Sequence, residues 1–300
     1  MKQILMVGAG SVGGFFGAHL AKANLSVSFL LRPKTLAAVK QNGLTIRSAQ
    51  GSFTVHPPAA SDPRDLPKPD LIIVSVKAYD LDEVLNQIEP VLTDQAVILT
   101  LQNGVDTEDR ILARFQRDCV VGGIAYIYTK IAAPGVIDHY KKGAVAIGEL
   151  MGHQSPRLLA IADLFKRAGV PCHLADDVRR SKWEKMCWNC VFNPLTVMID
   201  DKVAKALDHP EMLRVIHQIV GEVVAVAATV KVPLAADMAE KVVRWTSEIR
   251  DIHTSMYDDW KAGRPTEIEL ITGSLIRASS PARSMAERNC EMLSRLTWLR

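Results

Sequence analysis

The chain has 300 residues, of which 48% are hydrophobic and 23% charged, and its formal net charge is +3 at pH 7. A chain of this length can hold two domains, each with its own core. The mild charge gives no argument for a nucleic-acid-binding face, and we predict neither a signal peptide nor a membrane-spanning segment. The five cysteines are an odd number, which favours free thiols in the reducing cytoplasm.

The first predicted element is a short apolar strand that leads into a glycine motif and then a helix. The strand covers residues 3–7, the helix covers residues 12–22, and the pattern Gly-x-Gly-x-x-Gly joins them. Gly8 permits a tight turn, Gly10 lets a pyrophosphate approach closely, and Gly13 lets the helix pack on the strand. In this context the motif predicts a dinucleotide site; the alternative is a glycine-rich turn without a ligand. The predicted coenzyme-binding residues of the loop are Gly8, Ala9, Gly10, Ser11, Val12 and Gly13.

The rest of the first half alternates between predicted strands and helices. Short apolar runs, typical of strands buried on both faces, occur at residues 27–31, 71–76 and 97–101. Further strands are predicted at residues 120–128, 135–140, 144–147 and 171–174. Helices are predicted at residues 81–92, 107–115 and 156–167. This alternation is typical of a doubly wound, mostly parallel α/β sheet.

The second half has helical spacing throughout. Helices are predicted at residues 178–193, 210–230, 234–258 and 266–279. We therefore predict an α/β fold with a Rossmann-type domain over residues 1–176 and an all-helical domain over residues 177–300. The tail after residue 278 predicts a Ser-Ser-Pro break and one more short helix.

Three polar residues follow predicted strands of the first domain, where open α/β sheets bind their ligands. Arg32 follows the second strand, at a place where NAD-binding proteins usually carry an acidic residue for the ribose 2′-hydroxyl. An arginine suits a 2′-phosphate, so we predict NADP(H) as the coenzyme, with Lys34 as a candidate second ligand. The alternative is an ordinary surface arginine. Lys77 and Asn103 follow two later strands and are predicted to face the coenzyme, although Asn103-Gly104 is also a turn signal.

A polar stripe runs along an otherwise apolar predicted helix in the second domain. Lys185, Asn189 and Asn193 are spaced four residues apart and therefore share one face. Unpaired burial of such groups costs about 1–3 kcal/mol each, and a polar substrate would satisfy them. The alternatives are hydrogen bonds to neighbouring backbone and a lysine that reaches water. Pro194 is predicted to end or kink the helix directly after this stripe.

Two further features of the second domain have open interpretations. Glu267 borders an apolar helix face, and it is either a buried carboxylate of a site or a helix-start acid favoured by the macrodipole. Cys187 and Cys190 form a C-x-x-C pattern inside a helix, without a second pair that would complete a zinc site. We interpret them as two buried helix thiols.

Taken with the glycine loop, several motifs resemble those of the ketopantoate reductases (2-dehydropantoate 2-reductases). The most specific is Lys182-Trp-Glu-Lys185, followed by Asn189 and by Asn193-Pro-Leu-Thr. The others are Ser-Val-Lys77-Ala-Tyr, Gln-Asn103-Gly-Val, Ser255-Met and Thr-Glu267-Ile. The resemblance covers nearly the whole chain.

The resemblance implies a role for each residue. Lys185 resembles the catalytic lysine that protonates the ketone oxygen, and Glu267 the acid that orients this lysine and binds the substrate hydroxyl. Asn189 and Asn193 resemble substrate-positioning amides, and Ser255 the hydroxyl that holds the substrate carboxylate. Three residues resemble residues of the coenzyme site: Arg32 at the 2′-phosphate, and Lys77 and Asn103 near the nicotinamide. We also expect Asn103 to face the substrate.

The resemblance implies the reduction of a 2-keto acid, most specifically 2-dehydropantoate, by NADPH. Two alternatives stay open: a dehydrogenase of another hydroxy acid, and a non-catalytic NADP-binding sensor. We expect a small-molecule substrate and no nucleic-acid or membrane partner, and a helical second half is compatible with a homodimer.

Overall fold

A computed structural model describes residues 1–278 of the chain, so the predicted tail helix lies outside the described residues. The chain forms two compact units, of which the first is Met1–Val178 and the second begins at Arg179. The first unit carries the strands, and the described part of the second unit is helical.

The first unit is built on one sheet of ten strands. These are β1 (Ile4–Val7), β2 (Val27–Leu30), β3 (Leu44–Ser48), β4 (Phe53–Val55), β5 (Ala59–Ala60), β6 (Leu71–Val74), β7 (Val97–Thr100), β8 (Val120–Ala133), β9 (Val136–Glu149) and β10 (Cys172–Leu174). Part of the sheet has the order β5-β2-β1-β6-β7-β8, with every neighbouring pair parallel. This is the strand order of the Rossmann fold, and its switch point lies between β1 and β6.

Helices cover both faces of this sheet. They are α1 (Ser11–Lys22), α2 (Pro33–Asn42), α3 (Leu81–Ile88), α4 (Thr107–Phe115) and α5 (Pro156–Arg167). Strand β1 shows why both faces need a cover: Met6 belongs to one apolar cluster with Phe16 of α1, and Leu5 belongs to another with Val84 of α3. Alternate side chains of a strand point to opposite faces, so the predicted doubly wound α/β sheet is confirmed.

Beyond β8, the first unit departs from the prediction. Residues 135–140 and 144–147 are predicted to form two strands, but all of them except Gly135 belong to the single strand β9, which pairs antiparallel with β8. The polar stretch between them is a bulged region, where Lys142 has φ +62° and Gly143 has φ +119°. An irregularity of this kind interrupts the apolar pattern without ending the strand.

The helices of the second unit are α6 (Val178–Ile199), α7 (Val203–Leu207), α8 (Pro210–Thr229), α9 (Met238–Ser247), α10 (Ser255–Lys261) and α11 (Ile268–Ala278). The helix predicted at residues 178–193 is longer in the structure, because it continues to Ile199 with Pro194 in its interior, so Pro194 does not end it. The helix predicted at residues 234–258 is in fact two, and the Thr254 hydroxyl caps the second by accepting from the Tyr257 amide at 3.2 Å.

By length and composition alone, α8 could cross a membrane, which the sequence analysis did not anticipate. One such helix is weak evidence, since the core helix of a soluble protein passes the same test. Ile216, Val220 and Val223 form a buried ridge on α8, which contacts α7, α9 and α11. The buried residues therefore lie on one face of α8, and 33% of its apolar window is buried.

Candidate active site

The glycine loop between β1 and α1 has the geometry that its sequence predicts. Gly8 has φ +90°, a left-handed conformation that side chains disfavour. A Cβ on Gly13 would lie 2.4 Å from the Gly8 carbonyl oxygen and 1.9 Å from the Ser75 Oγ. The Ser75 hydroxyl donates to the Val7 carbonyl at 3.0 Å, so it holds the end of β6 against the loop. Sequence reasoning did not single out Ser75, although it begins the Ser-Val-Lys motif.

The same loop leaves room for a pyrophosphate. A Cβ built on Gly10 would meet no other atom of residues 1–278 within 4 Å. Gly10 is the N-cap of α1 and has no side chain to occupy the first helical amides, and the first turn carries no acidic residue. Free amides at a helix N-terminus attract anions, so these residues fit a dinucleotide coenzyme.

Two predicted coenzyme residues, Lys77 and Asn103, leave the sheet at the same edge as the glycine loop. Val7 at the end of β1 is paired in register with Val74 of β6, and Val74 with Thr100 of β7. Lys77 and Asn103 therefore follow neighbouring strands beside the glycine loop. The Gln102 side-chain amide donates to the Val76 carbonyl at 3.0 Å and connects these two segments. Gly104 has φ +99°, so Asn103-Gly104 is also the turn that its sequence indicates.

Arg32 lies at the N-cap of α2 directly after β2, but its guanidinium is already paired. Its Nη2 donates to the Asp80 Oδ1 at 2.6 Å, and the Glu83 Oε2 lies 3.7 Å away. Acidic residues near the second strand alone give no indication of this pair, whose partners are 48 residues apart. One feature of the sequence does indicate the pair. Asp80 closely follows Lys77 and thus belongs to the same edge of the sheet as Arg32.

The second unit holds the lysine and amide stripe on α6. Asn189 and Asn193 are buried, with exposed fractions of 5% and 2%, and Lys185 is partly buried. Glu267, directly before α11, is 4% exposed and acts on the charge of Lys185, whereas Glu269 is exposed. The structure therefore brings Glu267 to the lysine.

Burial lowers the pKa of Lys185 to about 8, with repulsion from Lys182 adding to the effect and Glu267 opposing it. Lys182 is itself buried, one helical turn before Lys185. The sequence pattern, in which Lys182 appears only as part of a motif, did not indicate that this lysine would be buried. Its burial makes it part of the electrostatic surroundings of Lys185.

Ser255 is the first residue of α10 and is exposed. Its neighbour Thr254 is buried, and the hydroxyls of Thr254 and Thr196 lie 2.8 Å apart. Because Thr196 lies three residues after Asn193 on α6, this contact connects the helix of the amide stripe with the segment that carries Ser255. Cys187 and Cys190, also on α6, are buried free thiols, as predicted.

A Rossmann sheet with an open glycine loop, followed by a helical unit with a partly buried lysine and two buried amides on one helix face, defines a coenzyme-dependent oxidoreductase. The family profile described as "Ketopantoate reductase PanE/ApbA" matches residues 4–152, and "Ketopantoate reductase PanE/ApbA C terminal" matches residues 177–294. The chain belongs to the ketopantoate reductase family.

Individual relatives are similar over almost the full length. The 2-dehydropantoate 2-reductase of a Nostoc species is 27% identical over 296 residues, covering 96% of this chain and 92% of that protein. The crystal structure of 2-dehydropantoate 2-reductase from Methylococcus capsulatus is 31% identical, with a TM-score of 0.89, covering 99% of this chain and 97% of the other. A D-mandelate dehydrogenase in complex with NADH and anilino(oxo)acetate shares the fold at 24% identity, with a TM-score of 0.87 and 98% of each chain covered.

Proposed function

We propose that this chain reduces 2-dehydropantoate to (R)-pantoate with NADPH, a step toward pantothenate and coenzyme A. The single observation that carries the proposal is the arrangement around Lys185. A partly buried lysine shares a helix face with two buried amides, and a buried carboxylate acts on its charge. The family resemblance names the substrate, which the relatives from Nostoc and Methylococcus capsulatus share.

NADPH, when bound, supplies the hydride that reduces the ketone carbon. The ketone oxygen then becomes an alkoxide, which needs a positive charge beside it and a proton. The Lys185 ammonium meets both needs: it places a positive charge beside this oxygen and transfers a proton to it. Its pKa of about 8 keeps it largely protonated at neutral pH, yet makes it a stronger acid than an exposed lysine.

The remaining residues of the second unit bind and orient the substrate. Asn189 and Asn193 offer amide donors and acceptors that bulk water cannot readily satisfy, since both are buried. The Ser255 hydroxyl binds the substrate carboxylate. Glu267 keeps the lysine in its charged form, because a carboxylate near an ammonium favours protonation.

In the first unit, the glycine loop and the N-terminus of α1 bind the pyrophosphate, and Arg32 binds the 2′-phosphate of NADPH. Lys77 and Asn103 contribute from the neighbouring strand ends. Four cysteines among the described residues are free thiols, which supports a reducing compartment such as the cytoplasm.

The test is NADPH oxidation with a panel of 2-keto acids, using the Lys185→Ala variant and Lys205→Ala as a matched control. Lys205 is exposed on α7, so its loss should leave turnover unchanged. We expect Lys185→Ala to lower kcat about 10²- to 10⁴-fold while NADPH affinity stays the same. Near wild-type turnover in Lys185→Ala would contradict the proposed mechanism. A clear preference for another keto acid would show that 2-dehydropantoate is not the substrate. Coenzyme binding without turnover of any keto acid in the panel would favour a non-catalytic NADP-binding sensor.

A further inference from the structure

We propose that Asp80 is a specificity-determining residue of the coenzyme site, whose carboxylate weakens the preference for a 2′-phosphate and accepts the ribose 2′-hydroxyl of NADH. This inference rests on the proposed function, because it takes Arg32 as the residue that faces the 2′ position. It predicts a protein that uses both coenzymes.

The geometry around Arg32 supports this role. The Arg32 side chain is 66% exposed, as a ligand of an incoming group must be, whereas the Asp80 side chain is only 15% exposed. The Arg32–Asp80 hydrogen bond at 2.6 Å is the first cause of the raised pKa of Arg32. Asp80 is therefore the better fixed partner, and Arg32 is held by it.

The position of Asp80 in the fold explains how a carboxylate reaches the 2′ position. In the usual NAD-binding arrangement, the acidic residue follows the second strand. Here Arg32 occupies that place, and Asp80 approaches from the segment after β6, on the other side of β1. The acceptor for a ribose hydroxyl thus comes from a different strand, in reach of the same guanidinium.

Electrostatics decides which coenzyme this pair favours. A phosphate bound to Arg32 would bring its negative charge within a few ångströms of the Asp80 carboxylate, which repels it and also competes for the Nη2 donor. Glu83 adds a weaker repulsion at 3.7 Å from the guanidinium. A 2′-hydroxyl, in contrast, can donate to the carboxylate. Asp80 therefore disfavours NADPH relative to an unpaired arginine and favours NADH.

The neighbouring Asp82 provides a matched control for the test. It lies two residues further on, is 79% exposed, and pairs with Arg110 at 2.8 Å instead of with Arg32. Asp82→Asn makes the same change of charge in the same segment. Asp80→Asn keeps the shape of the side chain, and no helix cap is lost, because the Asp80 side chain makes no capping hydrogen bond to α3.

The experiment measures the dissociation constants of NADPH and NADH by fluorescence titration, together with kcat/KM for each coenzyme where turnover is detected. For Asp80→Asn we expect the NADPH-to-NADH preference to rise roughly fivefold to tenfold, the size of one charge-assisted hydrogen bond to a partly exposed group. Asp82→Asn should leave the ratio unchanged, and Arg32→Ala should lower it.

A preference that stays constant or falls in Asp80→Asn would overturn the inference, since the carboxylate would then be either irrelevant or a positioning residue for phosphate binding. Because the titration needs no substrate, it gives an answer even if 2-dehydropantoate is not reduced. An unchanged ratio in Arg32→Ala would also overturn it, because the 2′ position would then lie elsewhere.

Discussion

The hydroxyls of Thr196 and Thr254 lie 2.8 Å apart in the interior of the helical unit. Thr196 has a single hydroxyl hydrogen, and the Phe192 carbonyl accepts it at 2.8 Å. The Thr254 hydroxyl must therefore donate to Thr196, while it accepts from the Tyr257 amide. This chain of hydrogen bonds connects the α6 turn that contains Asn193 to the first turn of α10.

Thr196→Val should loosen this connection and raise the KM for the keto acid. Valine has the shape of threonine but cannot accept from Thr254, so the segment with Ser255 loses one of its attachments. We expect KM to rise about fivefold with a smaller change in kcat, and stability to fall by about 1 kcal/mol. Steady-state kinetics and urea unfolding measure these effects. Thr196→Ser keeps the hydroxyl and should behave like the wild type; an equal loss in both variants would refute the hydrogen-bond argument.

The lowered pKa of Lys185 predicts the pH dependence of the reaction. Reduction needs the ammonium form, so kcat/KM should be constant below about pH 8 and fall tenfold per pH unit above it. Oxidation of pantoate needs the neutral amine as proton acceptor, so its rate should rise through the same pH. Profiles of kcat/KM against pH for keto-acid reduction and for pantoate oxidation check this prediction. Different midpoint pH values in the two profiles would exclude Lys185 as the acid of one reaction and the base of the other.

Substitutions of the two charged neighbours of Lys185 should shift this midpoint in opposite directions. Lys182→Met removes a like charge, which raises the pKa of Lys185 and moves the alkaline limb to higher pH. Glu267→Gln removes the opposing carboxylate, which lowers that pKa and moves the limb to lower pH. We expect shifts of about half a unit to one unit. The kcat/KM profiles of the two variants test this, and shifts in the same direction would contradict the assignment.

Loss of one partner of the Arg157–Glu149 ion pair should destabilise the first unit strongly. Glu149 at the end of β9 is 3% exposed and accepts from the Arg157 Nε at 2.8 Å and Nη2 at 2.6 Å, with Ser155 as a further donor. Arg157→Ala leaves a buried carboxylate without its cation, so we expect a loss of about 3 kcal/mol by urea unfolding at neutral pH. Arg167→Ala on the same helix removes an exposed pair and should cost under about 0.5 kcal/mol.

The pH dependence of this loss follows from the pKa of Glu149. Burial alone would raise that pKa, but the hydrogen bonds from Arg157 and Ser155 outweigh burial and lower it. The stabilisation is therefore complete above the ordinary glutamate pKa and disappears as the pH falls through the lowered one. The difference between wild type and Arg157→Ala should shrink in acid, and a difference that grows there would rule out the ion pair as its source.

Local patterns in the sequence predicted those parts of the molecule that local chemistry determines. The glycine loop, the buried parallel strands and the polar face of α6 depend on residues close together in the chain. The continuation of α6 through Pro194 was not predictable, because a proline inside a helix is locally unfavourable and the packing that offsets its cost, by Val191, Phe192 and Leu195, is tertiary. The Arg32–Asp80 pair was missed for a related reason: 48 residues separate its partners, and the order of the strands brings them together.

Alanine substitutions at Gly10 and Gly13 should separate coenzyme binding from folding. Gly10 has φ −67°, and a Cβ there meets no described atom within 4 Å beyond its chain neighbours, so Gly10→Ala should fold, with a loss of about 0.5–1 kcal/mol because alanine is a poorer N-cap than glycine. The methyl group would occupy the space through which a pyrophosphate approaches the amides of α1, so we expect coenzyme affinity to fall about tenfold or more. Fluorescence titration and urea unfolding measure the two effects.

Gly13→Ala should instead destabilise the folded state. The added Cβ would lie 2.4 Å from the Gly8 carbonyl oxygen, a backbone atom that cannot move aside without disturbing the loop, and 1.9 Å from the Ser75 hydroxyl oxygen. We expect a loss of stability of about 2–3 kcal/mol. Ser75→Ala in the same background should recover little of the lost stability, because the backbone contact remains.

A Gly10→Ala protein with unchanged coenzyme affinity would show that the pyrophosphate does not approach α1 at this point, and the glycine loop would then be a packing feature alone.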